Sequence, residues 1–286
     1  MILSPFKRNV SRSMFGNILV LVFLLLIGAF LLLPLIYVVV TAFKPIDEII
    51  VFPPQLLTVK RPTFDNFINM FNVVTNFWVP LSRYIFNSIF VSVVTTVVHV
   101  FIASMAAYPL AKHHFWGKKV LNKMVVLALL FSAGVTFIPQ YLVMANIGII
   151  DTYWAMILPT VQISLGLYLM INFMSQIPDT TLEAGRIDGA NEFTLLFKIV
   201  MPTIKPAWLT AAIFCFQGIW NSTGGSVVYS DNIKMLPSLL AQLQSGGIAF
   251  AGIVSAANLI IMLFPIMFFL FSQNMVIETM STSGLK

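Results

Sequence analysis

Residues 183–202 read EAGRIDGANEFTLLFKIVMP. Glu183, Arg186, Asp188, Glu192 and Lys198 crowd into this passage, although only 9% of the 286 residues are charged and 59% are hydrophobic. Apolar runs long enough to cross a bilayer lie on either side. How the polar island is read therefore decides what kind of chain joins those runs.

Working outward, the composition belongs to a membrane protein. Mean hydropathy is +0.94, Phe alone occurs 26 times, and 16 Lys and Arg stand with 10 Asp and Glu. A water-soluble surface needs a far larger charged share. The basic pI of about 9.5 does not indicate nucleic acid, because the cations sit beside apolar spans and form no separate basic domain. Cys215, the single cysteine, lies in an apolar run, allows no intramolecular disulfide and reads as a small buried residue. The first apolar run is too long for a cleaved signal and is read as a retained span.

A helix needs about 20 apolar residues to cross the hydrocarbon core. Six stretches qualify, at about 15–42, 83–110, 122–146, 153–174, 199–221 and 248–273. The expected fold is all-α and polytopic, with six membrane helices in one domain spanning 1–286. Pro34, Pro109, Pro139, Pro159, Pro206 and Pro265 fall in or near the spans, where packed neighbours tolerate kinks. With an even number of spans and the N-terminus inside, 11 of the 16 Lys and Arg face the cytoplasm and 5 face out. This asymmetry predicts both termini inside, the island 175–198 in the cytoplasm, and long external loops at 43–82 and 222–247. In the first of these, Phe64, Phe67, Ile68 and Phe71 repeat at helical spacing and predict a small amphipathic helix with that apolar face.

The island itself reads as two short helices with a bend. Thr180 and Glu183 have capping-box spacing after Pro178. Leu182, Ala184 and Ile187 can share one face. Gly189 can end the first helix in the left-handed conformation, Asn191 can cap the second, and Pro202 falls in the first turn of the fifth span. Such a shape suits docking into a groove on a soluble partner. A capped surface loop with no partner has the same local signals.

The island resembles the EAA loop of importer permeases of the ATP-binding-cassette (ABC) superfamily. The pattern is Glu-Ala-Ala, a Gly a few residues on, and a distal Ile-x-x-Pro. Here it runs Glu183-Ala184-Gly185, Asp188-Gly189-Ala190, and Ile199 through Pro202, all within 178–202, with Gly185 where Ala is usual. FKPIDEI after the first span and NSIFVS opening the second resemble the carbohydrate-uptake branch, specifically its maltose-type second permease. The ending NMVIETMSTSGLK is similar to the tails of oligosaccharide permeases that work with a binding lipoprotein, and departs from the commoner ending of that branch. The resemblance implies a permease subunit of the bacterial cytoplasmic membrane. It implies a homologous second permease, two ATPase subunits that use ATP and Mg²⁺ and grip Glu183, Ala184, Gly185, Asp188, Gly189, Ala190 and Pro202, and an extracytoplasmic binding protein that delivers a sugar.

No G-x-x-x-x-G-K-[ST], H-E-x-x-H or C-x-x-C pattern occurs in the sequence, so no cofactor or metal site of the chain's own is expected, and no enzymatic activity. His113 and His114 read as solvated, and His99 as a neutral histidine bonded between helices. Gln162, Gln217, Trp220, Asn221 and Asn258, with Asn87, are candidate sugar contacts. The same residue types also serve as helix-to-helix glue. An ion-coupled transporter is the second reading. It is disfavoured because all ten Asp and Glu fall in loops or at span ends, leaving no intramembrane carboxylate. A membrane enzyme is disfavoured by the missing catalytic clusters.

Overall fold

The computed structural model describes residues 14–53, 55–75, 79–131 and 133–283, with no strand among them. A helix satisfies every backbone group internally, which makes it the default for apolar runs in lipid. Accordingly α1 (Met14–Ala42) takes the first run as one helix. Two structural units follow, one built from residues up to Met70 with Gly246–Leu259, the other from Phe71–Ser245 with Ile260 onward.

In the first unit, α2 (Ile46–Ile49) and the start of α3 (Asp65–Thr75) follow α1. The helix predicted near Phe64–Phe71 exists, its apolar face turned outward and the opposite face packed against the chain. Phe64, Ile68 and Phe71 are exposed, whereas Asn66 and Met70 are buried. Asn66 decides the rotation, because its amide donates to the Ala42 and Lys44 carbonyls at 2.9 and 2.6 Å. It thereby satisfies groups left open where α1 ends.

The second unit is organised by α4 (Leu81–Lys112), a helix of 32 residues. The predicted span at 122–146 is two helices, α5 (Lys118–Ala128) and α6 (Ala133–Asn146). The Leu129 and Leu130 amides bond back three residues to Val126 and Leu127, which tightens the last turn and stops α5. Hydropathy counts apolar residues and is blind to this change of backbone. The span at 153–174 is likewise α7 (Tyr153–Val161) and α8 (Ser164–Ser175). His99 of α4 fills that break: its Nδ1–H donates to the Val161 carbonyl at 2.8 Å. Gly166 makes room for the ring, since a Cβ there would lie 2.3 Å from His99 Nε2.

After α9 (Asp179–Ile187) and α10 (Glu192–Thr194), a π-helical turn Leu195–Val200 leads through α11 (Met201–Thr203) to α12 (Lys205–Trp220). The axes on either side of Ile204 differ by 84°. Pro206 has no N–H and its ring crowds the preceding turn, so helix cannot continue evenly through it. Pro202 therefore closes the first arm, and Pro206, not Pro202, occupies the first turn of the span. The chain finishes with α13 (Leu236–Gln244) and α14 (Ala251–Ser283).

Among the described residues four helical stretches are long and apolar enough to cross a membrane, and up to five when the bent pair is counted as one span. Two cores hold the second unit together. One gathers Ala107, Tyr108, Met174, Leu182, Leu196 and Ile204. The other gathers Val91, Met156, Ile219, Val228 and Met235.

Candidate functional site

Residues 179–194 form a compact helix–turn–helix. α9 begins two residues earlier than the capping pattern predicts. Pro178 is the N-cap (φ −61°, ψ 136°) and no side chain caps the first turn. Thr180 is thus already inside the helix and the Thr180–Glu183 box does not form. Asp179 takes the first helical position, where a carboxylate suits the dipole. It accepts from Lys112 Nζ at 2.7 Å, and Lys112 also donates to the Ile177 carbonyl. That hydrogen bond is the main cause holding the Asp179 carboxyl below its usual range.

The end of α9 follows its prediction. Gly189 has φ +83°. Its N–H bonds to Arg186 O at 3.0 Å, and Ala190 N–H to Gly185 O at 3.0 Å. This is the double closure of a Schellman motif. Asn191 Oδ1 then accepts from Thr194 N at 2.8 Å and caps α10.

The buried face is Leu182 with Gly185, while Ile187 stands 86% exposed and Phe193 61% exposed. The predicted grouping of Leu182, Ala184 and Ile187 therefore fails. Ile187 and Leu182 lie five residues apart, too far round the turn to share a contact with the chain's own core. Gly185 is the close-packed member: a Cβ there would meet Leu195 Cδ2 at 2.6 Å and Ile199 Cδ1 at 3.0 Å. Glu183, Ala184, Asp188 and Gly189 are exposed and Ala190 is half-buried.

Glu192 is the polar centre of the loop. It accepts from Tyr108 OH at 2.7 Å and from Arg186 Nε at 3.0 Å, and His113 Nε2 lies 3.4 Å away. The Arg186 bond is the main cause keeping the Glu192 carboxyl low. Tyr108, Lys112 and His113 were not legible as partners of the island. They are distant in sequence, and no local pattern announces a contact of that range. His113, expected to be merely solvated, belongs to this cluster.

The predicted sugar contacts have different surroundings. Gln162 opens, with Thr136, Gln140, Ser164 and Phe131, onto a recess of about 410 Å³ beside the α7–α8 break. Gln217 and Asn221 share an exposed face of α12, where Asn221 Nδ2 donates to Gln217 O at 2.9 Å. Trp220 does not join them. It is buried, with Phe216 stacked at 5.4 Å and Phe264 at 5.2 Å. Asn258 lies half-buried on α14, in the first unit. Asn87 is fully buried and structural: it donates to the Asn232 and Lys234 carbonyls and accepts from Tyr153 OH. No group of three or more His, Cys, Asp or Glu placed to hold a metal occurs among the described residues.

No family model matches the chain. Individual relatives do. The probable ABC transporter permease protein YurM of Bacillus subtilis (strain 168) is 30% identical over 261 residues, covering 88% of this chain and 84% of that protein. The chain belongs to the ABC transporter permeases. A second relative of this permease in the same organism is the polygalacturonan/rhamnogalacturonan transport system permease protein YtcP, 32% identical over 231 residues, with 77% and 74% of the two chains covered. The fold of the permease matches a solved structure at a TM-score of 0.77 and 21% identity, covering 93% of this chain and 99% of the other. That structure is of a bacterial ABC transporter involved in the import of the acidic polysaccharide alginate.

Proposed function

We propose that this permease is one of two unlike permease halves of an importer that moves an oligosaccharide across the bacterial cytoplasmic membrane. Residues 178–202 are its docking loop for an ATPase subunit. The observation that carries the reading is the exposed tip: a helix closed at Gly189, two outward apolar side chains, Ile187 and Phe193, and an outward Glu183, in a chain of this family. Ile187, 86% exposed, and Phe193, 61% exposed, together give a partner an apolar surface to cover on an otherwise polar loop. The two ATPase subunits bind ATP and Mg²⁺; this chain binds neither. Six crossings with both termini inside put the loop on the cytoplasmic face, and an extracytoplasmic binding protein delivers sugar to the opposite side.

The recess around Gln162 and Gln140 is this chain's share of the path. Irregular backbone at membrane depth is tolerated where it is buried in protein or lines a wet cavity. Amides, hydroxyls and one aromatic face, with no charged residue among the lining, suit sugar hydroxyls. The saccharide systems named for YtcP and the alginate importer support the substrate class.

The test is uptake into proteoliposomes holding the complete importer and its binding protein, with maltotriose, arabinotriose and trigalacturonate as probes. Internal ATP should drive accumulation of at least one probe. Accumulation driven by an imposed proton or sodium gradient without ATP would contradict the reading.

A further inference from the structure

The docking loop is tied to more than the helices next to it in sequence. Tyr108 and Lys112 lie four residues apart on α4, one above the other on a single face. Lys112 holds the entry to the loop through the Ile177 carbonyl and Asp179. Tyr108 holds the exit through Glu192 at 2.7 Å. Glu192 also takes Arg186 from the last turn of α9 at 3.0 Å, so one carboxylate joins α4, α9 and α10. Beneath these polar ties Tyr108, Met174, Ile177, Leu182 and Leu196 share one apolar core.

The covalent route out of the loop is different in kind. It passes through a π-helical turn and an 84° bend at Ile204, and such irregular points absorb displacement. By contrast, α4 runs as one helix from Leu81 to Lys112, and its one proline, Pro109, lies within the clasped last turn and not along the shaft. At its far end Arg83 and Asn87 donate to the Asn232 carbonyl at 3.1 and 2.9 Å. A helix gripped at both ends moves as a body.

We propose that Tyr108 and Glu192 are positioning residues that clasp the docking loop to α4, so that α4 carries the loop's displacement to the opposite side of the membrane. The proposal rests on the docking-loop reading. Neither residue touches sugar or nucleotide. Removing the Tyr108 hydroxyl deletes a hydrogen bond to a charged group and shifts the balance between clasped and released loop by about ten-fold.

The experiment uses the complete importer in a Cys215→Ala background, with Ser82→Cys reporting at the far end of α4. Maleimide labelling is measured at rest and after vanadate traps nucleotide on the ATPase. In the parent, trapping should change the labelling rate several-fold. Tyr108→Phe and Glu192→Ala should trap nucleotide like the parent yet label at the resting rate. Glu192→Gln still accepts the Tyr108 hydroxyl and should keep the response. The clasp is wrong if Tyr108→Phe responds like the parent, if it loses trapped nucleotide, or if the parent label ignores trapping. A Gly189→Val importer run alongside separates the two failures. If Gly189→Val traps and responds normally, the docking-loop reading falls. If it loses nucleotide while Tyr108→Phe responds normally, only the clasp falls.

Discussion

The two ends of α4 are both held by polar contacts, but of different kinds. At the Arg83 end the ties run from side chain to backbone. Asn87, fully buried, holds the Asn232 and Lys234 carbonyls. Nearby, Asp151 accepts from the Tyr229 and Ser230 amides, both at 2.8 Å, and from the Ser230 hydroxyl. At the Lys112 end the ties run mostly to carboxylates that water reaches: buried Lys112 and Tyr108 hold Asp179 and Glu192, whose side chains are 75% and 47% exposed. Exposed pairs are weak and screened by salt, whereas satisfied backbone groups are costly to release. The first end is an anchor. The second can exchange partners, and it is the end that carries the docking loop.

The largest effect on stability should come from breaking the anchor. Asp151 sits at φ 62°, a left-handed conformation that Asp tolerates and Ala does not. Asp151→Ala also takes away the charged acceptor of two amides and a hydroxyl, so it should cost about 2 kcal/mol. Thermal unfolding in detergent should show the loss while ATPase subunits stay bound in purification. At the other end the effects should reverse. Gly189→Val meets no atom within 4 Å of its new Cβ, so its cost is backbone strain at the loop tip, about 1 kcal/mol. Unfolding should shift by no more than that. ATPase retention and ATP-driven uptake should fall about five-fold, the effect of strain of that size borne by the docked conformation.

The two ends should also answer differently to pH and salt. Hydrogen bonds, from the Ser230 hydroxyl above all, hold the Asp151 carboxyl below its ordinary 3.8. A lowered folded pKa stabilises above the unfolded value and is lost as pH falls through the folded one. Exchange protection of the Tyr229 and Ser230 amides should therefore persist at pH 3.8 and fade only below it. Added salt should leave those amides protected while loosening the Lys112–Asp179 pair, read as faster exchange at the start of α9. The smallest effect is expected for Gly185→Ala. The obstructing atoms are the tips of Leu195 and Ile199, which can shift, so the change should cost under about 1 kcal/mol. A large loss of stability or uptake would show the α9–π-turn contact to be rigid.

What the sequence made legible follows range. The Gly189 closure and the Asn191 cap depend on atoms a few residues apart, so local spacing revealed both. The long spans α1 and α4 needed only apolar length. The breaks at 129–131 and 162–163 escaped notice because hydropathy does not register backbone continuity, and the His99–Val161 bond that supports the second joins helices far apart in sequence. The outward turn of Ile187, the burial of Trp220 and the grip of Tyr108 on Glu192 depend on which faces the neighbouring helices occupy. Periodicity found the apolar face of Phe64, Ile68 and Phe71, but not that Asn66 on the other side would bond the carbonyls at the end of α1.

The central claim is that the tip of residues 178–202 lies against an ATPase subunit. A photo-crosslinking amino acid placed at Ile187, in the importer co-expressed with its partners, tests it most directly. The account predicts an adduct with the ATPase subunit on illumination, reduced when Gly189→Val is introduced in the same chain. An ATPase that co-purifies with the chain yet forms no adduct from Ile187 would contradict it.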